Sequence, residues 1–373
     1  MDTSGRVGGH CQTCLKTRSW SIRLEPLPDE LLSSYLVRSA HAHGMHPMHF
    51  VSLHFPRAQI WTRDIDARAH TQLVDAIAQA SNLSADLVRS MTLSPLFSSN
   101  ANDADAFKGQ SSWLTSIGMH GRFRSRHGLQ FCPQCLQANG AFLRTWRLSF
   151  AFACSVHHRM LENQCSACSA PVVPHRARFS PSTCHRCGSV LGNVHPHDAD
   201  LPVDEALQVQ EKFLSFCRHD FIDVGGTIVE RADFFSGLAI LLKLLREKMH
   251  WHQVNLDVHD HVVLDNHEAL RFSVTAVRLR LCASILEILN RWPDEFFRVA
   301  MTSNMTRASF AHCGKTPTWL GEQIDWLPQR LRRQYSYRAS TLLKRVREIE
   351  ADGGAHCREQ RARELMAAAR KWS

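Results

Sequence analysis

The sequence predicts a mainly α-helical protein with an N-terminal helix-turn-helix-like helical domain, two tandem zinc-ribbon-like modules and a C-terminal helical domain. Two observations predict this organisation. Four cysteine-rich half-sites lie within 56 residues, and apolar residues recur at helical spacing on both sides of them. With 373 residues and 44% apolar content, the chain is long enough to bury a substantial core.

The first helix is predicted to begin at Pro28-Asp29-Glu30. Proline presets the backbone of a first turn, and acids there interact favourably with the helix dipole. Apolar residues then recur on one face until Gly44, and a second short helix is predicted over residues 46–54. Residues 1–21 show no such pattern, and we expect a disordered N-terminal stub.

A helix–turn–helix is predicted over residues 71–80 and 85–91, with Ser84 able to cap the second helix. The predicted helical domain spans residues 22–105. Helix pairs with such turns are more often core units than DNA readers, and this half is slightly acidic. Both interpretations remain open from the sequence alone.

Residues 106–197 contain two complete sets of metal ligands. Cys132-Pro-Gln-Cys135 is followed by Cys154-Ser-Val-His157, and Cys165-Ser-Ala-Cys168 is followed by Cys184-His-Arg-Cys187. Two residues between ligands let one turn present both donors, and two such turns complete a tetrahedron. We therefore predict two structural Zn²⁺ ions per chain, with His158 as the alternative to His157. The predicted ligands are Cys132, Cys135, Cys154, His157, Cys165, Cys168, Cys184 and Cys187.

Disulfides and free buried thiols are the alternatives for these cysteines. The first residues show no secretory signal, and thirteen cysteines is an odd number, so disulfides are disfavoured. Cys11 and Cys14 form a further pair without a second CxxC nearby, and whether they bind metal stays open. The remaining cysteines are predicted to be ordinary thiols: Cys217, Cys282, Cys313 and Cys357.

The central segment is also predicted to bind nucleic acid. Residues 106–197 carry ten Lys and Arg residues and one acid, Glu162. The segment stays basic even after two thiolate-bound zinc ions add a charge of about −3, and a basic segment suits a phosphate backbone. The alternative is a basic surface that only confers solubility. The candidate nucleic-acid-binding residues are Arg122, Arg124, Arg126, Arg144, Arg147, Arg332, Arg333, Arg338, Lys344 and Arg345.

The C-terminal half divides into a helical domain, residues 198–325, and a basic helical tail, residues 326–373. The domain contains an acidic block over residues 198–270, and helices are predicted near 234–251, 266–291 and 294–301. No run of apolar residues is long enough for a membrane span. We therefore expect a cytoplasmic, nucleoid-associated protein.

No catalytic motif is found. Gly314-Lys315-Thr316 resembles the end of a phosphate-binding loop, but Ser309 stands where the first glycine is required and Pro317 follows. Carboxylates are sparse around the cysteines, and the predicted zinc sites are full. The sequence thus predicts a protein that performs no covalent chemistry.

The order of these parts resembles the TniQ family. The stretch from Leu27 to Arg38 is similar to the family's opening helix, and Phe131 to Leu136 to its first zinc half-site. Trp146, the Cys154 half-site, Met160-Leu161 and the Cys165 half-site follow in the family's order. The resemblance is clearest over residues 24–192, and residues 198–373 carry no matching motif.

The resemblance implies a target-site selector for DNA transposition, related to TnsD. Such a protein links the target to an AAA+ ATPase of the TnsC type, which engages the transposase. Some members bind double-stranded DNA directly. Others dock on a CRISPR Cascade complex, often as a homodimer, and the sequence does not decide between these branches. The alternative without the resemblance is a zinc-containing helix-turn-helix transcription regulator.

Overall fold

The computed structural model describes residues 18–56, 58–67, 69–93, 113–115, 119–120, 123–124, 128–192, 202–248, 275–311 and 315–329. About half of the described part is helical, and its strands form three two-stranded hairpins. None of the described helices combines the length and apolar composition that a bilayer crossing needs. The fold is therefore mainly α, as predicted.

The described residues of the N-terminal part form four helices: α1 (Leu32–Ala42), α2 (Pro47–His54), α3 (Thr71–Ser81) and α4 (Ala85–Ser90). Asn82 ends α3 in the left-handed conformation, with φ of 63°. The hydroxyl of Ser84 accepts a hydrogen bond from the Leu87 amide at 3.1 Å and so caps α4. The predicted helix–turn–helix geometry and its capping serine are confirmed.

The core of these helices extends into the segment predicted to be disordered. Trp20 is 2% exposed, and its amide donates to the Ala80 carbonyl at 2.8 Å. Its ring lies 5.1 Å from the ring of Phe50 and 5.9 Å from that of Tyr35, measured between centroids. Residues 1–17 lie outside the described residues, but Trp20 belongs to the fold because it fills the space between α1, α2 and α3.

The predicted start of α1 is wrong. The helix begins at Leu32, and Asp29 adopts a positive φ of 57° in the turn before it. The Asp29 carboxylate accepts hydrogen bonds from the Arg144 guanidinium at 3.0 Å and from the Thr145 hydroxyl at 2.6 Å. Glu30 pairs with Arg38 at 2.6 Å. Both acids therefore make specific tertiary and local contacts instead of forming a first helical turn.

The central part contains little regular structure among its described residues. They form a short helix α5 (Pro133–Asn139), two 3₁₀ turns (Thr145–Arg147 and Pro174–Arg176) and four two-residue strands. The strands are β1 (Met119–His120), which pairs with β2 (Phe123–Arg124), and β3 (Ala153–Cys154), which pairs with β4 (Arg159–Met160). The cysteine half-sites occupy the turns of this segment.

The described residues of the C-terminal part form six helices and a hairpin. The hairpin joins β5 (Phe221–Val224) to β6 (Thr227–Glu230) through Gly225 and Gly226, whose φ angles are 60° and 91°. A two-residue Gly-Gly turn between alternating apolar residues is a strong hairpin signal, and the all-helical prediction for this region missed it. The helices are α6 (Val203–Arg218), α7 (Arg231–Lys248), α8 (Thr275–Asn290), α9 (Asp294–Thr302), α10 (Arg307–Phe310) and α11 (Thr318–Ile324).

Buried polar contacts join the C-terminal helices to the central part. Arg278 of α8 is 1% exposed, donates to the Ser149 carbonyl and to the Gln130 side chain, and lies over the ring of Phe152. The Trp113 indole donates to the Phe235 carbonyl at 3.0 Å. Since these groups are buried, their hydrogen bonds fix how α7 and α8 pack on the central part.

A buried arginine joins the N-terminal helices to the central part. The Arg147 side chain is 1% exposed and contacts Asp64 at 2.6 Å and Asp66 at 3.3 Å. Asp66 in turn accepts hydrogen bonds from the Ser33 amide at 2.8 Å and the Ser33 hydroxyl at 2.7 Å. Desolvation raises the pKa of Asp66 to about 6, and the charge of Arg147 acts in the opposite direction. Asp66 therefore binds the first turn of α1, and Arg147 holds Asp66 in place.

We expect Arg147→Met to lower the free energy of unfolding by about 3–5 kcal/mol, because it leaves Asp66 buried without its counter-charge. Urea denaturation measures the change. Arg89→Met is the matched control, since its partner Asp86 is 95% exposed, and its expected cost is about 1 kcal/mol or less. Equal costs for the two variants would contradict the structural role given to Arg147.

Candidate metal centres

The structure brings the eight predicted ligands together into two separate clusters. In each cluster, the candidate ligand atoms of all four residues lie within 4.8 Å of one another. The first contains Cys132, Cys135, Cys154 and His157, and the second contains Cys165, Cys168, Cys184 and Cys187. Each cluster is assembled from two half-sites that are distant in sequence, as the spacing predicts.

The local backbone explains how each half-site presents two donors. In three of the four half-sites, the residue after the second ligand has a positive φ: 43° at His158, 53° at Ser169 and 76° at Gly188. The chain thus reverses directly after the ligand pair. The first half-site differs because Cys132 caps the start of α5 and Cys135 lies within that helix, which ends at Gly140 in the left-handed conformation.

Interatomic distances within the clusters fit a tetrahedral ion. The Sγ atoms of Cys135 and Cys154 are 3.7 Å apart, as are those of the pairs Cys165–Cys187 and Cys168–Cys184. A disulfide requires an S–S distance of about 2.05 Å. Four sulfurs at a Zn–S distance of about 2.3 Å would be about 3.8 Å apart at the corners of a tetrahedron. The clusters therefore have the geometry of zinc sites.

The histidine of the first cluster is His157. Its Nδ1 atom lies 3.4 Å from the sulfur of Cys132, 3.2 Å from that of Cys135 and 3.6 Å from that of Cys154. The adjacent His158, which occupies the left-handed position, is not part of the cluster. The structure therefore selects His157 from the two histidines that the sequence offered.

Backbone amides and neighbouring thiols stabilise negative charge on some of these sulfurs. The amide of Arg186 donates to Cys184 Sγ at 3.4 Å. Hydrogen bonds from the Cys132 thiol and from the backbone amides of His157 and Val156 lower the pKa of Cys154 to about 4. Hydrogen bonds from Ser189 lower the pKa of Cys187 to about 6. Thiolates are the form that binds zinc, so these contacts favour the metal-binding state at Cys154 and Cys187. Burial acts in the opposite direction at three other ligands, where it raises the pKa of Cys135 and Cys168 and that of Cys165 to about 12.

The two other described cysteines behave as ordinary thiols. Cys282 is buried and Cys217 is partly buried, and burial raises the pKa of each to about 12. Neither belongs to a metal-ligating group among the described residues. Cys11, Cys14, Cys313 and Cys357 lie outside the described residues.

The structure corrects two of the predicted nucleic-acid contacts. Arg147 is buried against Asp64 and Asp66, so its guanidinium cannot reach a phosphate. Arg144 pairs with Asp29 and donates to the Ser90 carbonyl at 2.6 Å. Both arginines hold the protein's own parts together, a role that their charge alone does not distinguish from nucleic-acid binding.

The other predicted contacts remain predictions. Arg124 lies in β2, where only its backbone is described. The rest lie outside the described residues: Arg122, Arg126, Arg332, Arg333, Arg338, Lys344 and Arg345.

Three further arginines, which are not among the predicted contacts, are exposed in the segment between Cys168 and Cys187. They are Arg176, Arg178 and Arg186. The only acid of the central segment, Glu162, is 4% exposed and pairs with Arg159 at 3.3 Å. No ion pair is found for the three arginines among the described residues. The sequence contains a signal for them, because one acid, Glu162, cannot neutralise all the arginines of residues 106–197.

Exposed apolar side chains lie among these arginines. Phe179 is 77% exposed and Val190 is 48% exposed. The Phe179 ring lies beside Gly188, and Gly188 follows the turn that contains Arg186. Burial lowers the pKa of the nearby His175 to about 4, so its imidazole, stacked on Trp61, adds no charge at neutral pH. We call Arg176, Arg178, Phe179, Arg186 and Val190 the second-module patch.

Fold and clusters together define a mainly helical protein built around two tandem zinc-ribbon-like modules. Comparison with sequence models of protein families matches the TniQ family over residues 21–161. Residues 21–161 are therefore similar to the TniQ family, as the resemblance implied. The matched region contains α1 to α5 and the first metal cluster. A search of curated proteins finds no match.

We expect the purified protein to contain about two zinc atoms per chain. His157→Asn should retain about one, because it removes a ligand from the first cluster. His158→Asn is the matched control and should retain about two, since asparagine tolerates the left-handed backbone at that position. Atomic emission spectroscopy with mass spectrometry of the native protein measures the stoichiometry. Zinc loss from His158→Asn alone would contradict the ligand assignment.

Proposed function

We propose that this protein is a non-catalytic target-site selector for DNA transposition. It links a target to an AAA+ ATPase of the TnsC type, and through it to the transposase. The family match over residues 21–161 carries the proposal. Such a role needs two binding surfaces, one for the target and one for the ATPase, and the structure offers a candidate for each.

The second-module patch is the proposed contact with the target. Its three exposed arginines supply positive charge and form no ion pair with a carboxylate in the part of the chain that the structure describes, and guanidinium groups bind phosphate oxygens well. A zinc site with four thiolates carries a charge of about −2, which three arginines outweigh. The proposed ligand is double-stranded DNA, contacted through its phosphate backbone.

The helix–turn–helix is a weaker candidate for reading DNA. Its second helix, α4, has six residues and exposes Asp86 and Leu87. An acid and a leucine on a short helix do not suit the phosphate-rich edge of a major groove. This observation disfavours the alternative function, a helix-turn-helix transcription regulator.

The proposed contact with the ATPase lies on the N-terminal helices. Met48 and Leu53 of α2 are 44% and 47% exposed, and Ile22 is 42% exposed. Exposed apolar side chains on a helix are typical anchors for a protein partner. They lie within the segment that matches the family, where a function shared by the family is expected.

The DNA contact predicts a salt-dependent affinity. We expect the triple variant Arg176→Ala, Arg178→Ala and Arg186→Ala to reduce the slope of log K against log salt by about 2–3, one unit for each phosphate that is no longer neutralised. Fluorescence anisotropy with duplex DNA at several salt concentrations measures the slope. A control triple, Arg89→Ala, Arg218→Ala and Arg291→Ala, removes the same charge from arginines that pair with carboxylates.

The control triple should leave the slope nearly unchanged. An equal fall in both triples would assign DNA binding to overall charge. No fall in either would mean that the patch binds a protein, as expected if the target is recognised through a CRISPR Cascade complex.

The ATPase contact predicts that Met48→Ser with Leu53→Ser weakens capture of the cognate ATPase about tenfold or more, since each side chain contributes apolar area to the interface. A pull-down with DNA and nucleotide present measures it. Ile228→Ser is the control, because Ile228 is 67% exposed but lies on the C-terminal hairpin. Loss of capture in the control alone would move the interface to the C-terminal part.

A further inference from the structure

The β5–β6 hairpin exposes one face that combines apolar and acidic side chains. Ile222, Val224 and Val229 point inward and are buried. On the opposite face, Phe221 lies across from Glu230 and Asp223 lies across from Ile228. All four of these outer residues are exposed. We call them the hairpin face.

The exposure of two large apolar residues on the hairpin face calls for a partner. Phe221 is 66% exposed and Ile228 is 67% exposed, and they are diagonal neighbours on a two-stranded sheet. The two carboxylates beside them make the face acidic. A matching partner would present apolar side chains flanked by positive charge.

The basic tail of this chain has that chemistry. From 330 to 347 the sequence contains seven Lys and Arg residues and no acid. Leu342, Leu343 and Val346 recur at helical spacing among them, which predicts an amphipathic helix with both properties. The other long stretches outside the described residues do not fit: 249–274 carries four acids and one arginine, and 94–112 carries two acids and one lysine.

The last described helix before the tail, α11, lies close to the hairpin. The Trp319 indole of α11 donates to the Asp233 carbonyl, three residues after β6 ends, at 3.2 Å. Trp292, whose ring lies 5.0 Å from that of Trp319, is beside Gly225 at the hairpin turn. The described chain ends ten residues after Trp319. The thirteen residues that separate position 329 from Leu342 can span about 43 Å when extended, which is enough to reach the hairpin face.

We propose that the tail segment 340–349 docks on the hairpin face of its own chain, with Leu342 and Val346 on Phe221 and Ile228, and Arg345 near Asp223 and Glu230. In this state Arg345 is held by carboxylates and is not available to DNA. The proposal concerns contacts within one chain and does not depend on the proposed function.

Carbodiimide cross-linking of the full chain tests the docking directly, because it joins an amine to a carboxylate that is in contact with it. Lys344 is the only lysine between 330 and 350, and on a helix it lies opposite Leu342 and Val346. The double substitution Lys344→Arg with Arg345→Lys moves this amine to the docked face and keeps the charge. We expect mass spectrometry of this variant to find position 345 linked to Glu230 or Asp223. Phe221→Ser with Ile228→Ser should reduce this link at least about fivefold, since it removes the apolar area that holds the segment. Leu342→Ser with Val346→Ser should do the same from the other side of the contact.

Met48→Ser with Leu53→Ser is the matched control, since it removes two exposed apolar residues elsewhere and should leave the link unchanged. A mixture of ¹⁵N-labelled and unlabelled chains distinguishes links within a chain from links between chains. Three results would overturn the proposal: a link that only joins two copies, a link that persists in both serine pairs, or no link from position 345 to the hairpin in the exchanged variant.

Discussion

The contact of Arg147 with Asp64 and Asp66 is the constraint on which the arrangement of the N-terminal and central parts depends. Asp66 binds the first turn of α1 through Ser33, so one buried guanidinium connects the helices to the segment that carries the metal clusters. A buried ion pair contributes little net stability compared with apolar packing, but it penalises every arrangement that leaves one of its charges unpaired. We infer that this pair specifies how α1 is oriented against the central part.

The metal clusters explain how the central segment keeps a fixed shape with so little regular structure. Its strands have two residues each, and backbone hydrogen bonds alone would hold them weakly. Closing each cluster with one ion would fix four residues from two distant turns, and the free energy of metal binding would then stabilise the fold. Arg186 lies in such a turn and Phe179 lies beside Gly188, which follows it, so the proposed metal site would also determine where these two side chains are displayed.

Local patterns in the sequence predict much of this structure. The ligand spacing predicts both clusters, and helical periodicity predicts α2, α3, α4 and α9 almost to the residue. Tertiary contacts account for the errors. Asp29 and Glu30 have the chemistry of a first helical turn, but they bind Arg144 and Arg38 instead. The charge of the sequence does not show that Arg147 is buried and Arg178 is exposed, because only the fold places Asp64 and Asp66 beside Arg147. The hairpin was missed although Gly225-Gly226 carries a recognisable turn signal.

The central claim is that one chain holds a target and an ATPase together through two separate surfaces. Linking two sites raises the effective concentration of one partner at the other without any new contact between the partners. The most direct measurement is the amount of TnsC-type ATPase retained on immobilised duplex DNA with limiting ATPase, with and without this protein. The account predicts that the wild-type chain increases retention and that the patch variant and the α2 variant each abolish the increase. The patch variant should still bind the ATPase, and the α2 variant should still bind DNA. Full recruitment by both variants, or none by the wild-type chain, would contradict it.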